Sequence, residues 1–179
     1  MPRYIAFLRA INVGGHTVKM DVLRQHFETL GFSNVETFIA SGNVIFENTA
    51  KNTRSLEKKI EDYLLAELGY EVATFIRTEA ELIAIVDEQP FPPSDLTLAQ
   101  AYNVAFLADA LDIAAQKKVM ALRTNIDEFR VQGREVYWLC RKKQSESKFS
   151  NVVLEKTIGR SATIRGVNTL QKLLAKLAA

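Results

Sequence analysis

One cysteine and two histidines in 179 residues leave little material for several kinds of chemistry. Cys140 has no partner in the chain, so no internal disulfide forms and nothing points to an oxidising compartment. Two scattered histidines and that cysteine make no recognisable metal set. No stretch approaches the roughly 20 apolar residues of a membrane-spanning helix. The apolar run Tyr4 to Leu8 is closed by Arg9, and it reads as neither a span nor a secretion signal. The dinucleotide fingerprint, the Walker A loop and a serine-centred nucleophile elbow are all missing. These absences point to a cytoplasmic protein with no metal, no cofactor and no membrane.

What is present suffices for a core. Apolar residues make up 47% of the chain and charged residues 25%, a balance that excludes disorder at a length typical of one domain or two small ones. The net charge of +2 hides a split. Residues 1 to 115 carry 9 Lys and Arg against 16 Asp and Glu, whereas residues 116 to 179 carry 14 against 5. A basic C-terminal third marks either a surface for phosphates or charges spread over solvated helices.

Met1 to Ile11 reads as a strand, ended by the breaker Asn12-Val13-Gly14-Gly15. From Met20, the apolar residues Leu23, Phe27 and Leu30 share one helix face, with Gly31 as the stop. Val35 to Ala40 and Val44 to Phe46 are β-prone runs flanking Ser41-Gly42-Asn43, a hairpin turn in which Gly42 supplies the positive φ. Asn52 to Leu68 is an amphipathic helix closed by Gly69; Glu71 to Arg77 is a strand; Thr78 and Glu81 form a capping box for the next helix, stopped by Pro90, Pro92 and Pro93. The order is βαββαβ plus a helix.

The order then repeats. Tyr102 to Leu107 is a strand, Leu111 to Leu122 a helix, and Glu128 to Gln132 with Glu135 to Arg141 a hairpin across Gly133. Asn151 to Ile158 is a helix, Ala162 to Arg165 a strand, and Leu170, Leu173, Leu174 and Leu177 line one face of a last helix. A βαββαβ unit is the ferredoxin-like arrangement, two helices over one face of an antiparallel sheet. The expected fold is therefore α+β, a tandem duplication of ferredoxin-like βαββαβ units with antiparallel sheets. The first spans 1-90 and the second 100-179, packed together as one compact domain.

This topology makes neighbours of distant motifs. The loop after the first strand and the Ser41-Gly42-Asn43 hairpin emerge at the same sheet edge, where the loop also feeds a helix N-terminus that favours anions. Arg9, Asn12, Gly14, Gly15 and Lys19 from the loop, with Ser41, Gly42 and Asn43, form one candidate binding group. In the second unit Lys148, Thr163, Arg165, Asn168 and Thr169 fall at the opposite edge and form another. His16, Ser41 and Lys148 are candidates for acid, base or nucleophile roles. Phe129, Tyr137, Trp138 and Phe149 interleave with basic residues, the raw material of a stacking platform for single-stranded nucleic acid, although the RNP1 pattern is missing.

Arg9-Ala10-Ile11-Asn12-Val13-Gly14-Gly15, followed by Lys19-Met20 and then Ser41-Gly42-Asn43-Val44-Ile45-Phe46, resembles the bacterial family catalogued as domain of unknown function 1697. Ser147-Lys148 and Thr163-Ile164-Arg165 with Asn168-Thr169 resemble its remaining signature, so the likeness covers essentially the whole chain. Gly166 and Val167 stand where that family usually has Asn and Trp, and Ala10 where it usually has Gly. The resemblance implies a tandem ferredoxin-like α+β fold and no established activity.

The leading expectation is binding of a small anionic, phosphate-bearing ligand, a nucleotide or sugar phosphate, in a cleft between the two units. The alternatives are a cofactor-independent enzyme acting on such a ligand, a nucleic-acid binder using the basic third, and a structural module whose open sheet faces make a homodimer.

Overall fold

The computed structural model describes residues 1–9, 11, 17–39 and 42–179. They divide into two units, Met1–Ile83 and Ala84–Ala179. The first runs β1 (Arg3–Leu8), α1 (Met20–Thr29), β2 (Ser33–Thr37), β3 (Asn43–Glu47), α2 (Thr53–Leu68) and β4 (Thr74–Thr78), and α3 (Glu79–Asp87) carries the boundary. The second continues with α4 (Pro93–Leu98), β5 (Ala101–Phe106), α5 (Ile113–Met120), β6 (Asp127–Gln132), β7 (Glu135–Cys140), a 3-10 turn at Gln144–Glu146, α6 (Asn151–Ile158), β8 (Thr163–Gly166) and α7 (Val167–Ala178).

The two sheets have the same topology, β2-β3-β1-β4 and β6-β7-β5-β8, with every neighbouring pair antiparallel. This is an α+β fold of two ferredoxin-like units. In the first, alternate residues Tyr4, Ala6 and Leu8 of β1 face Leu23 and Phe27 of α1 and Leu56, Ile60 and Leu64 of α2, so both helices cover one side. Phe32 stacks on Phe46 at 4.5 Å between ring centres, and Phe27 meets both rings near 6 Å, pairs worth about 0.5–1.5 kcal/mol each beyond their burial. In the second unit Ala105, Phe129, Val136, Trp138 and Ile164 form the same layer beneath α5 and α6.

Helix carboxylates guard the edge strands. Glu57 and Glu61 of α2 accept the N–H groups of Ile76 and Thr74 on β4 at 2.8 and 2.9 Å, and Glu155 of α6 accepts that of Ala162 just before β8 at 2.9 Å. Donors otherwise open to another strand are satisfied locally. Burial pushes the Glu57 carboxyl above its ordinary value, against the pull of the Ile76 N–H and Arg54.

Local signals hold at most element ends. Thr78 and Glu81 exchange reciprocal hydrogen bonds of 3.0 and 2.9 Å, the expected capping box. Several expectations shift: the strand read over Met1 to Ile11 is Arg3–Leu8, and that read over Val35 to Ala40 is Ser33–Thr37. The strand read from Glu71 starts at Thr74, where pairing with β1 begins opposite Leu8. The helix read over Leu111 to Leu122 is shorter, because the Asp112 side chain accepts from Ala115 N at 2.7 Å and caps it there. The proline-rich segment is not purely a stop: Pro93 opens α4, at the helix position where a missing N–H is harmless.

Among the described residues, no helix is long and apolar enough to cross a membrane, and no group of three or more His, Cys, Asp or Glu is placed to hold a metal ion. Cys140 is a free, buried thiol. The proposed nucleic-acid platform is corrected: Phe129, Tyr137, Trp138 and Phe149 are all buried rather than displayed together on an open sheet face.

Candidate functional site

The upper edge of the first sheet is where β1 ends and β3 and β4 begin. Leu8 N donates to Gly42 O and Arg9 N to Ala73 O, both at 2.9 Å, so the chain leaving β1 runs between the β2–β3 hairpin and the start of β4. Ile11 lies directly on Gly42. A Cβ there would come within 2.8 Å of Ile11 Cγ2 and 3.2 Å of Leu8 Cβ, and the φ of +82° itself suits glycine. Tyr70 Oη donates to Ile11 O at 3.1 Å and fixes the segment from the other side.

Of the residues expected here, Asn12, Gly14, Gly15, His16 and Ser41 lie outside the described residues. Arg9 is half-buried and Lys19 is exposed at the start of α1, whose N-terminus has no side-chain cap. Asn43 is fully buried, and its amide donates to Phe38 O at 3.0 Å, tying the hairpin shut. Its described contact belongs to the turn.

The lower edge of the second sheet is more fully built, and a residue not singled out from the sequence organises it. Asp127, at the start of β6 and 2% exposed, accepts from Trp138 Nε1 at 2.9 Å, Ser147 Oγ at 2.8 Å and Thr124 Oγ1 at 2.9 Å. Ser147 Oγ in turn accepts from Phe149 N at 3.0 Å. One carboxylate thus pins the β7–α6 loop onto the sheet. Burial, with Asp127 nearby, pushes the Cys140 thiol up, so it is not a ready nucleophile.

Beneath that loop is a cavity of about 800 Å³, lined by Asn103, Gln144, Ser145, Ser147, Ser150 and Asn151 over a floor of Trp138, Phe149, Ile164 and Gly166. Asn103 is 5% exposed and its Nδ2 donates to Gln144 Oε1 at 3.3 Å. Ser150 caps α6, accepting from Val153 N, so the positive end of that helix forms part of the wall. Asn151 Nδ2 donates to Ala162 O at 2.9 Å, while its Oδ1 is buried with no donor to meet it. Lys148 stands between two lining residues, Ser147 and Phe149. It and Lys142 are exposed and have no ion-pair partner among the described residues.

The second candidate group does not converge on one point. Thr163 and Arg165 do meet, Arg165 Nη1 donating to Thr163 Oγ1 at 2.8 Å and to Ile164 O at 3.0 Å. Because side chains alternate along β8, however, Ile164 faces the cavity and Arg165 faces the other side of the sheet. Burial there pushes the guanidinium down to about 10. Asn168 lines a second cavity, and Thr169 is half-buried on α7 outside both. Of that group none lines the serine-lined cavity, and only Lys148 adjoins its lining residues in sequence. Asn103 had a sequence signal: it is the one carboxamide within the apolar run of β5, on the face it shares with Ala101 and Ala105. Asp127 had only a short-range one, Thr124 three residues before it, and its bonds to Trp138 and Ser147 come from the fold.

A family model described as "Protein of unknown function (DUF1697)" matches residues 1–137. The match ends before the Ser147-Lys148 and Thr163–Thr169 motifs. No curated protein matches the chain. Among solved structures, that of the conserved bacterial protein SP0830 from Streptococcus pneumoniae is similar, with a TM-score of 0.78 at 24% identity over 98% of each chain. At that identity the likeness shows the fold alone.

Proposed function

Because the chain belongs to the family described as "Protein of unknown function (DUF1697)", membership brings no activity with it, and we propose from the site's chemistry that it binds a small phosphate-bearing ligand, a nucleotide or sugar phosphate, at the lower edge of its second unit. The observation that carries this reading is the cavity beneath the β7–α6 loop. Its volume falls in the range of small-molecule sites. Its lining offers hydroxyls and amides without acidic side chains, and its wall includes a helix N-terminus. Lys148, flanked in sequence by the lining residues Ser147 and Phe149, and Lys142, two residues before Gln144, supply cationic charge in the same loop, where an anion gains attraction without either lysine having to leave water. The serine hydroxyls and carboxamides of the lining complement the hydroxyls of a sugar, which favours a sugar phosphate over a bare inorganic anion.

Thermal-shift titration with ribose 5-phosphate and inorganic phosphate tests it. Binding raises stability by about 2.7 kcal/mol at a hundred times the dissociation constant. The sugar phosphate should stabilise the protein more than inorganic phosphate does, and Lys148→Ala should weaken both. No stabilisation by either, or an effect indifferent to Lys148, overturns the reading.

A further inference from the structure

Asn103 and Gly166 form the last pair of the β5–β8 ladder, and the pair is a wall common to two cavities. One is the serine-lined cavity described above. The other, about 460 Å³, opens on the side of β5 to which Tyr102 points, since adjacent strand residues face opposite ways. Its chemistry differs from the first. Gln89, Gln100, Asn168 and Gln171 line it together with Asn103, and none of its lining residues is charged. These four carboxamides are exposed and, among the described residues, none of their side chains is engaged with another protein group.

A carboxamide holds its donors and its acceptor in one plane, the complement of a nucleobase edge. An ion entering there would lose hydration and meet no opposite charge. The first-turn N–H groups of α7 adjoin the same space, with no side-chain cap because Gly166 cannot provide one. A sugar phosphate has no planar group for such a lining. Resting on the phosphate reading above, we infer that the ligand is a nucleotide, with its phosphate on the Lys148 side of Gly166 and its base among the carboxamides on the other.

A ligand reaching from one cavity to the other in this way passes over Gly166, the residue both share with Asn103. Its φ of −66° and ψ of 143° suit any residue, and a Cβ would meet only Asn103 Oδ1, at an ordinary 3.6 Å. A side chain there blocks the crossing without straining the fold.

The experiment titrates AMP, GMP, CMP, UMP and ribose 5-phosphate against the wild-type protein, Gly166→Leu and the double variant Asn168→Ala with Gln171→Ala, recording melting temperatures alongside. At least one nucleotide should bind about tenfold more tightly than ribose 5-phosphate, a difference of about 1.4 kcal/mol. Both variants should lose that advantage, and the double variant, whose two positions line only the second cavity, should keep its affinity for ribose 5-phosphate. If no nucleotide beats ribose 5-phosphate, or if the advantage survives in the double variant, the base pocket is overturned and the phosphate reading stands. If neither nucleotides nor ribose 5-phosphate bind, both fall. Should Gly166→Leu melt early, the double variant, altered only at exposed positions, decides.

Discussion

Arg77 of β4 and Arg165 of β8 occupy the same place in the two units. Arg77 is paired with Ile5 on β1 and Arg165 with Val104 on β5, each one residue before the shared triplet Ala6-Phe7-Leu8 or Ala105-Phe106-Leu107. Each sends Nη1 to the carbonyl of the isoleucine before it, Ile76 at 2.9 Å and Ile164 at 3.0 Å. Both are buried. The duplication therefore reaches the hydrogen bonds of individual side chains, and Arg165 is first of all a packing residue.

Substitution at Arg165 should accordingly act on stability. Arg165→Ala removes a buried side chain together with its bonds to Thr163 and Ile164, and we expect a loss of about 2–3 kcal/mol. Lys148→Ala, at an exposed and unpaired position, should stay within about 0.5 kcal/mol. Urea midpoints for the two variants check this; equal losses would contradict it.

Asp127 offers a second test. Asp127→Ala strands the buried Trp138 indole N–H and frees Ser147, and the loss should be about 2–3 kcal/mol. Asp127→Asn, which retains one acceptor oxygen, should lose less. The chain has one tryptophan, so its emission reports directly on this site and should shift in the alanine variant. Amide exchange over residues 144–149 should quicken at the same time.

Why some of this was legible and some not follows from the range of each interaction. Gly42 announced itself because a two-strand turn with a positive φ has a local signature, and the Thr78–Glu81 box because both partners lie within one helical turn. The shared edge of the segment after β1 and the β2–β3 hairpin followed from strand direction alone, and Ile11 does rest on Gly42. The aromatic residues misled because interleaved charges suggest an open face. Tyr137 is instead covered, its hydroxyl donating to Ile85 O at 3.3 Å, and adjacent Trp138 is buried on the opposite face. A strand buried on both sides has no polar alternation to read. Arg165 and Asn168 looked like neighbours from their spacing. The pleat at Ile164 and Arg165 and the start of α7 at Val167 send them to different surroundings.

Backbone strain yields a stabilising substitution. Ile39 has a φ of +60°, in the left-handed region that costs an L residue roughly 1–2 kcal/mol and a β-branched one in particular. Its side chain is 45% exposed, so little burial offsets that cost. After allowing for glycine's greater freedom in the unfolded chain, Ile39→Gly should gain about 0.5–1 kcal/mol. That corresponds to a rise of roughly 1–4 °C in melting temperature for a chain of this length. A fall would mean that the exposed side chain makes contacts worth more than the strain.

Alkaline pH sets titrating groups of the second unit against one another. Burial pushes the Tyr102 phenol up to about 12. It raises that of Tyr137 as well, with Glu135 and Glu88 adding to it. As pH rises past 10, the unfolded chain releases these protons while the folded chain keeps them, so each phenol lowers stability. Arg165, pushed down to about 10 by burial, has the opposite sign: the folded chain gives up its proton while the unfolded chain holds on, and stability rises. Two phenols outweigh one guanidinium, and the net is a fall of about 1.4 kcal/mol per pH unit for each excess proton. Tyr102→Phe removes one of the two, so its stability between pH 10 and 11 should fall less steeply than the wild type's, the Cys140 thiol and the Tyr70 phenol, also pushed up by burial, still lowering it there. Tyr137→Phe should flatten the curve similarly while starting lower, having lost the bond to Ile85 O. Urea midpoints at pH 9, 10 and 11 decide it; a steeper decline in Tyr102→Phe than in the wild type would reverse the assignment of signs.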